Sequence, residues 1–249
     1  MPSPYFKGVI INYFVNGLSV LDEGAGEVIV LLHGFMSNKE SFLSQIHCLK
    51  RTRRVIAIDI TGFGKSKKME RVYSLDDYVL DILAVINELN VEKYDILAHS
   101  FGARIALKLS VIDSRLQKLI LTGAAGLKPK RTLKYYYKVY LYKTLKKLFK
   151  NKNLNRYGSS EYQLLTGLEK QSYVKIVNTF LDGLLSKITN KTMLIFGSND
   201  TQTPLYLARR FNKKMVNSSL YIIKGAGHFC FVEKPYEFNI IMLEFLNGD

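Results

Sequence analysis

Six short apolar runs, separated by segments with helical patterning, constrain the fold of this chain more than any other feature of its sequence. Each run is rich in Val, Ile and Leu. It lacks the alternation of apolar and polar residues that is typical of a strand with one solvated face. Such runs are typical of strands that are covered on both faces of a parallel sheet. They read EVIVLLHG, RRVIAIDI, KYDILAHS, QKLILTGA, KTMLIFGS and SSLYIIKG.

The segments between these runs favour helices. One of them begins with Ser74 and carries an acid three residues later, which is close to the capping-box pattern of a helix start. Ahead of the first run, two strand-like segments meet at Asn16-Gly17 and predict an antiparallel hairpin. Alternation of strand and helix predicts an α/β fold with a mostly parallel central sheet and flanking helices. The predicted helices lie at 39–50, 74–90, 100–112, 203–213 and 235–247.

The alternation is interrupted once, between LILTGAAG at 119–126 and the run that begins at 191. Apolar residues recur there at helical spacing, and a second helical stretch is predicted over 160–186. We therefore predict a helical insertion, residues 127–187, between core strands 6 and 7, with 1–126 and 188–249 forming the core. The apolar residues of its first half are Leu133, Tyr137, Leu141, Leu145 and Leu148.

Composition fits a folded protein in a reducing compartment. The chain has 249 residues, of which 47% are hydrophobic and 23% charged. No apolar run approaches the ~18 residues of a membrane span, and the first residues lack the pattern of a signal peptide. Cys48 and Cys230 are too few for a disulfide framework. We expect reduced thiols and a cytoplasmic location.

The net charge of +15 is concentrated in one segment. Residues 127–160 contain eleven Lys and Arg and no Asp or Glu, which leaves +4 for the rest of the chain. A solvated cationic helix face is the usual explanation of such a segment. Two alternatives are attraction of anionic substrates and a weak contact with an anionic membrane surface. No nucleic-acid-binding motif is present, so no nucleic acid partner is expected.

The stretch YDILAHSFGA places Ser100 between a predicted strand and a predicted helix. A turn that tight brings neighbouring backbones together, so the positions two before and two after the serine must be small. Ala98 and Gly102 satisfy this requirement. The turn would expose a hydroxyl at a helix N-terminus, where negative charge is favoured. The same pattern also fits an ordinary N-cap serine, so the nucleophile needs partners.

Those partners follow in the order Ser, Asp, His. A serine needs a base, and the base needs an acid to orient it. His228 lies in the Gly-rich loop after the last strand, whereas His99 adjoins the serine and cannot easily fold back onto its hydroxyl. Asp200 lies in SNDTQTP after KTMLIFG, and the loop after LILT contains no carboxylate. We predict a catalytic triad of Ser100, Asp200 and His228.

Four motifs in this order resemble the α/β-hydrolase superfamily over nearly the whole chain. They are LLHGF, DITGFGKS, FGSNDTQTP and GAGHFCFVEKP, together with the nucleophile-elbow stretch AHSFG. The resemblance implies an oxyanion hole formed by the backbone N–H groups of Phe35 and Phe101. It also implies that the insertion is a helical cap. No metal-ligand cluster or phosphate loop is evident, so we expect neither a metal nor a cofactor.

Within that superfamily the sequence favours a carboxylesterase acting on a small or lipid-like ester through an acyl-enzyme. A serine nucleophile argues against haloalkane dehalogenases and epoxide hydrolases. Hydrolases that cleave a carbon–carbon bond in ring-fission products remain an alternative, although they typically carry Trp where Phe229 follows His228. Aminopeptidases need acidic cap residues; the first half of the cap has none, and Glu161, Glu169 and Asp182 come later. A non-catalytic ligand-binding protein of the same fold is a further alternative, which a complete triad disfavours.

Overall fold

A computed structural model describes residues 11–130, 137, 140, 144 and 160–248 of the chain. These residues form an eight-stranded sheet in the order β1-β2-β4-β3-β5-β6-β7-β8. The first hairpin, β1 with β2, and the pair β2 with β4 are antiparallel, and the remaining pairs are parallel. The mostly parallel sheet predicted from the apolar runs is therefore confirmed. The strands are β1 Ile11–Val15, β2 Leu18–Glu23, β3 Val28–Leu32, β4 Arg54–Ile58, β5 Tyr94–His99, β6 Leu116–Thr122, β7 Lys191–Gly197 and β8 Ser218–Ile223.

The described helices lie where the sequence places them, with small differences at their ends. The predicted helix over 39–50 begins as a 3-10 turn, Lys39–Phe42, before it becomes α-helical. The α-helices are α1 Leu43–Leu49, α2 Leu75–Glu88, α3 Phe101–Ile112, α4 Ser160–Leu164, α5 Gly167–Val177, α6 Leu205–Lys214, α7 Cys230–Glu233 and α8 Pro235–Asn247. The capping box of α2 is present, since Ser74 and Asp77 each accept a hydrogen bond from the other's backbone N–H.

Two apolar layers cover the sheet, one on each face. Alternate residues of a strand point to opposite faces, so Ile96 and Ala98 of β5 pack against α2 and α3. Leu97, between them, packs in the opposite layer with α1 and α8. All six residues of β5 are buried. Because both faces are covered, the central strands read as continuous apolar runs, and their carboxyl ends are left as the exposed edge that carries loops.

The insertion between β6 and β7 is helical in its described second half. The predicted helical stretch over 160–186 consists of two α-helices, because Thr166 is extended and Gly167 has φ +50°, and the second helix already ends at Val177. The chain then returns to the core, where the N–H of Leu181 donates to the carbonyl of Gly126 at 2.8 Å.

Most of the basic first half of the insertion, with Leu133, Leu141, Leu145 and Leu148, lies outside the described residues. Tyr137 and Tyr140 are helical and largely exposed. The boundaries 127 and 187 remain predictions. None of the described helices is long and apolar enough to cross a membrane.

Candidate active site

Ser100 lies at a sharp turn between β5 and α3. Its backbone has φ 47° and ψ −102°, a conformation that costs about 1–3 kcal/mol for a residue with a side chain. Two hydrogen bonds hold the turn: the N–H of Ser100 donates to Thr122 at 3.0 Å, and the N–H of Ala125 donates to the Ser100 carbonyl at 3.3 Å. The Ser100 side chain makes no capping hydrogen bond to α3. The hydroxyl is thus presented at the edge of the sheet instead of being used as an ordinary N-cap.

The small neighbours of Ser100 are needed for close packing. A Cβ atom on Gly102 would lie 2.2 Å from the carbonyl oxygen of Leu32, so only glycine fits at this position. Ala98 is fully buried in the apolar layer beneath α3. Its single methyl group is accommodated where the superfamily pattern more usually has glycine. The geometry of a nucleophile elbow that the sequence predicts is present in the backbone.

Asp200 and His228 come together at the carboxyl ends of β7 and β8. The Nδ1 of His228 lies 2.8 Å from the Oδ2 of Asp200. Because a carboxylate accepts, Nδ1 carries the hydrogen, and Nε2 is left with the lone pair that a general base requires. The structure therefore pairs these two predicted residues in the orientation that base catalysis needs.

The Asp200 carboxylate is almost fully enclosed by donors. The backbone N–H groups of Gln202 and Thr203 each donate to Oδ1 at 2.8 Å, and the Thr203 hydroxyl donates to Oδ2 at 2.6 Å. Burial alone would raise the pKa of Asp200, but the hydrogen bonds from His228 and Thr203 outweigh it and hold the pKa below its usual range. Asp200 is therefore ionised at neutral pH. Thr203 was not identified from the sequence, although it is only three residues from the acid.

His99 supports the loop that carries His228. Its Nε2 lies 3.1 Å from the carbonyl oxygen of His228, to which it donates, and the two rings stand 4.7 Å apart. Its Nδ1 has no hydrogen-bond partner among the described residues. Burial lowers the pKa of His99 to about 3, so the ring is neutral. The His99 ring therefore holds the backbone of His228, and its exclusion as the base remains a prediction.

The turn after β3 is fixed by a second buried histidine. The N–H of Ile60 donates to the Nε2 of His33 at 2.9 Å. The other ring nitrogen, Nδ1, therefore carries the hydrogen and donates to the carbonyl of Gly34 at 2.7 Å. Burial lowers the pKa of His33 to about 4. The His33 ring thereby connects the backbone just before Phe35 to the backbone of Ile60.

Aromatic packing surrounds the two residues predicted to form the oxyanion hole. The ring of Phe35 lies 5.7 Å from that of Phe101 and 4.8 Å from those of Phe63 and Tyr173. Tyr78 packs edge-on against Phe101 at 5.0 Å. Side chains locked in this way hold the adjacent backbone N–H groups in place. The structure brings Phe35 and Phe101 together beside Ser100, and their role as oxyanion donors remains a prediction.

A buried ion pair lies where the turn after β3 ends. The Nζ of Lys39 lies 2.8 Å from the Oδ2 of Asp59, and both side chains are fully buried. Asp59 also accepts the N–H groups of Lys39 and Lys65. Burial alone would raise the pKa of Asp59, but the bonds from Lys39 and Lys65 outweigh it and lower the pKa. Asp59 therefore shapes its loop. Its partner Lys39 was not identified from the sequence, because the two are 20 residues apart.

A cavity of about 550 Å³ opens at Ser100. Helix α5 covers one side, and the loop after β7 with Thr201, Gln202 and Thr203 lines another. Arg104, one helical turn after Ser100 in α3, also lines it and was not identified from the sequence. No cluster of three or more potential metal ligands occurs among the described residues. The other lining residues are Phe35, Ser100, Phe101, Tyr173, Ile176 and Val177, with Ala125.

Comparison with known proteins agrees with this architecture. A family model described as the alpha/beta hydrolase fold matches residues 27–170, which is more than half of the chain. The chain therefore belongs to the α/β-hydrolase family.

Several similar proteins are hydrolases that match this chain over nearly its whole length. The 2-hydroxy-6-oxo-6-(2'-aminophenyl)hexa-2,4-dienoic acid hydrolase of Metapseudomonas resinovorans is 28% identical over 97% of this chain and 92% of its own length. The crystal structure of a serine hydrolase involved in carbazole degradation has a TM-score of 0.76 at 27% identity, covering 97% of this chain and all of that one. An esterase from Exiguobacterium antarcticum has a TM-score of 0.78 at 24% identity, over 96% of this chain and 100% of its own, which shows the shared fold.

Proposed function

We propose that the protein is a serine hydrolase that attacks a carbonyl group through Ser100, His228 and Asp200. The observation that carries this proposal is the 2.8 Å Asp200–His228 pair in the same fold as a serine held at positive φ on the wall of a cavity. Strain at a single non-glycine residue, stabilised by its surroundings, is typical of functional sites. A structural N-cap serine would need neither the strain nor the pair.

In the first half-reaction, Ser100 Oγ adds to the carbonyl carbon while His228 Nε2 takes the hydroxyl proton. The N–H groups of Phe35 and Phe101 stabilise the negative oxygen that forms. His228 then protonates the leaving group as its bond to the carbonyl carbon breaks. In the second half-reaction, water attacks the acyl-enzyme with His228 as base, releasing a carboxylic acid and restoring Ser100.

For the bond that is cleaved, we place carbon–carbon hydrolysis of a ring-fission product first, ahead of the ester that the sequence alone favours. The named full-length relatives support this order, since several are hydrolases of 2-hydroxy-6-oxo dienoic acids or related compounds. In the dienol form of such a substrate the carbon next to the ketone is part of a C=C bond, so the hydroxyl proton must first move to that carbon and give the 2,6-dioxo tautomer. When the bond to the ketone carbon then breaks, its electron pair passes into the conjugated enone, and the proton from His228 converts the resulting enolate into the dienol acid.

Ester hydrolysis remains the second candidate because of Phe229. The sequence departs here from the Trp that ring-fission hydrolases typically carry, and the chain has no Trp at all. The Phe229 ring packs 4.8 Å from His99 and 5.4 Å from His228, and it is 39% exposed. An apolar side chain without an N–H beside the base suits a leaving group that needs no hydrogen bond there.

Two substrate sets distinguish the candidates. We would follow loss of the dienoate absorbance with 2-hydroxy-6-oxo dienoic acids that bear a methyl or phenyl ketone, and release of p-nitrophenol from esters between acetate and palmitate. Carbon–carbon hydrolysis is expected to give the higher kcat/KM, and Ser100→Ala to lower turnover by up to about 10⁶-fold. Faster turnover of an ester would establish the second candidate. Turnover of neither set by folded protein would contradict both.

A further inference from the structure

Arg104 is buried in the wall of the cavity, which is unusual for an arginine. It lies four residues after Ser100, in the first turn of α3. It lines the cavity at Ser100 yet is only 7% exposed. A long cationic side chain normally keeps its charged end in water. Here most of the side chain is withdrawn from bulk solvent, in the wall of the space where substrate would bind.

The partners of Arg104 within the protein are neutral. Its Nη1 donates to the backbone carbonyls of Ile176 at 3.0 Å and Thr179 at 2.7 Å, at the carboxyl end of α5. A guanidinium has five N–H donors, so these two bonds do not exhaust it. No ion pair joins Arg104 to any carboxylate in the described part of the chain, and residues 131–159 contain no Asp or Glu.

The other buried basic side chains of the described residues are all paired. Lys39 bonds to Asp59 at 2.8 Å, and Arg53 bonds to Asp95 at 3.0 Å. Burial lowers the pKa of Arg104 to about 10, which still leaves it fully protonated at neutral pH. An unpaired buried charge is costly unless a counter-charge arrives. Among the described residues, every buried Lys and Arg except Arg104 is therefore paired with a carboxylate.

We propose that Arg104 binds a carboxylate of the substrate and thereby places the reacting carbonyl at Ser100. Arg is suited to this task because its planar donors match the two oxygens of a carboxylate. The proposal rests on the proposed hydrolase function and narrows its substrates to acids, whether the bond cleaved is carbon–carbon or ester. The position of Arg104 one turn from Ser100 favours an acid group only a few bonds from the carbonyl.

A matched pair of substrates tests the role of charge. The p-nitrophenyl monoester of glutaric acid carries a free carboxylate, and its methyl ester is neutral and otherwise nearly the same. We expect the wild-type protein to prefer the acid by at least about tenfold in kcat/KM, mostly through KM. Arg104→Gln should remove that preference by raising KM for the acid alone. Arg104→Lys keeps the charge and should retain part of the preference.

Arg210 offers a control for the structural contribution of an arginine. It lies on α6, outside the residues that line the cavity, and ties the core to the insertion by donating to the carbonyl of Lys128 and to Asp182, each at 2.6 Å. Arg210→Gln should leave the acid preference unchanged. If Arg104→Gln lowered activity on both substrates equally, and Arg104→Lys restored both, Arg104 would only hold α5 in place and the proposal would be wrong.

A binding measurement separates this proposal from the proposed reaction. In a Ser100→Ala background, calorimetric titration with the acid and with its methyl ester reports recognition without turnover. The acid should bind more tightly than its methyl ester, and this difference should be lost in the double variant Ser100→Ala, Arg104→Gln. That result would support the carboxylate site even if the wild-type protein hydrolysed neither ester. Equal binding of acid and methyl ester would overturn it. Thermal melting of each variant verifies that it is folded.

Discussion

The two sides of the cavity are built differently. On the sheet side, Asp200 and His228 are buried and joined by charge-assisted hydrogen bonds, and Ser100 is held at positive φ by backbone bonds. On the opposite side, α5 presents Tyr173, Ile176 and Val177, which are apolar over most of their surface. We therefore expect the chemistry to be fixed by the ends of the strands, the acid group of the substrate to be selected by Arg104 of the core, and the rest of the substrate to be selected by the inserted segment.

The largest expected effect comes from the hydrogen bond that orients the base. Asp200→Asn keeps the shape but favours the wrong tautomer of His228, and we expect turnover to fall by about 10⁴-fold with little change in KM. The measurement is steady-state kinetics on the best substrate. Asp182→Asn, a change in the inserted segment, is the control and should leave kcat within a few-fold. A small effect of Asp200→Asn would show that the sheet side does not carry the chemistry.

The buried ion pair between Lys39 and Asp59 should contribute strongly to the stability of the fold. Lys39→Met leaves the buried Asp59 without its counter-charge, and we expect the free energy of unfolding to fall by about 3–5 kcal/mol. Lys50→Met breaks the partly exposed pair with Glu23 and should cost no more than about 1 kcal/mol. Urea denaturation of the two variants compares them. Equal losses would mean that the turn is held by packing alone.

The loss of stability at low pH should arise in the core and not in the insertion, because all four histidines lie outside the insertion. His99 and His33 are buried and neutral, with pKa lowered from 6.5 to about 3 and about 4. The unfolded chain binds protons at these groups more readily, so stability is fully present above pH 6.5 and falls as the pH decreases toward 3.

Replacing His99 tests this dependence. His99→Phe should reduce the slope of unfolding free energy against pH between 4 and 6.5, while lowering stability at neutral pH through the lost bond to the His228 carbonyl. His47→Gln, at an exposed position on α1, is the control for stability at neutral pH and should leave it unchanged. Urea melts at several pH values supply the data. An unchanged slope in His99→Phe would show that acid destabilisation arises elsewhere.

A smaller effect is expected where α5 contacts the core. The Ser172 hydroxyl accepts the N–H of Tyr73 at 2.9 Å, and Ser172→Ala would leave that buried donor unpaired. We expect a loss of about 1–3 kcal/mol, and a rise in KM without a matching fall in kcat, because α5 would be held less firmly. Ser110→Ala, which removes a bond within α3, is the control. A fall in kcat without a rise in KM would contradict the assignment of catalysis to the strand ends and of substrate binding to α5.

The sequence predicted the sheet side well and the cavity poorly, for a physical reason. Strands buried on both faces, the turn at Ser100 and the loops of Asp200 and His228 all follow from local patterns. The bond between Thr203 and Asp200, the pair of Lys39 with Asp59 and the place of Arg104 depend on distances set by tertiary packing. The break between α4 and α5 depends on one glycine at positive φ, which helical periodicity does not reveal.

The central claim is that Ser100 is activated by the Asp200–His228 pair. Reaction with a fluorophosphonate, followed by mass spectrometry of the intact protein and its peptides, tests it without knowledge of the substrate. We expect one adduct on Ser100, none in Ser100→Ala and much slower labelling in Asp200→Asn. Folded protein that remains unlabelled, or labelling at another residue in the wild-type protein, would contradict it.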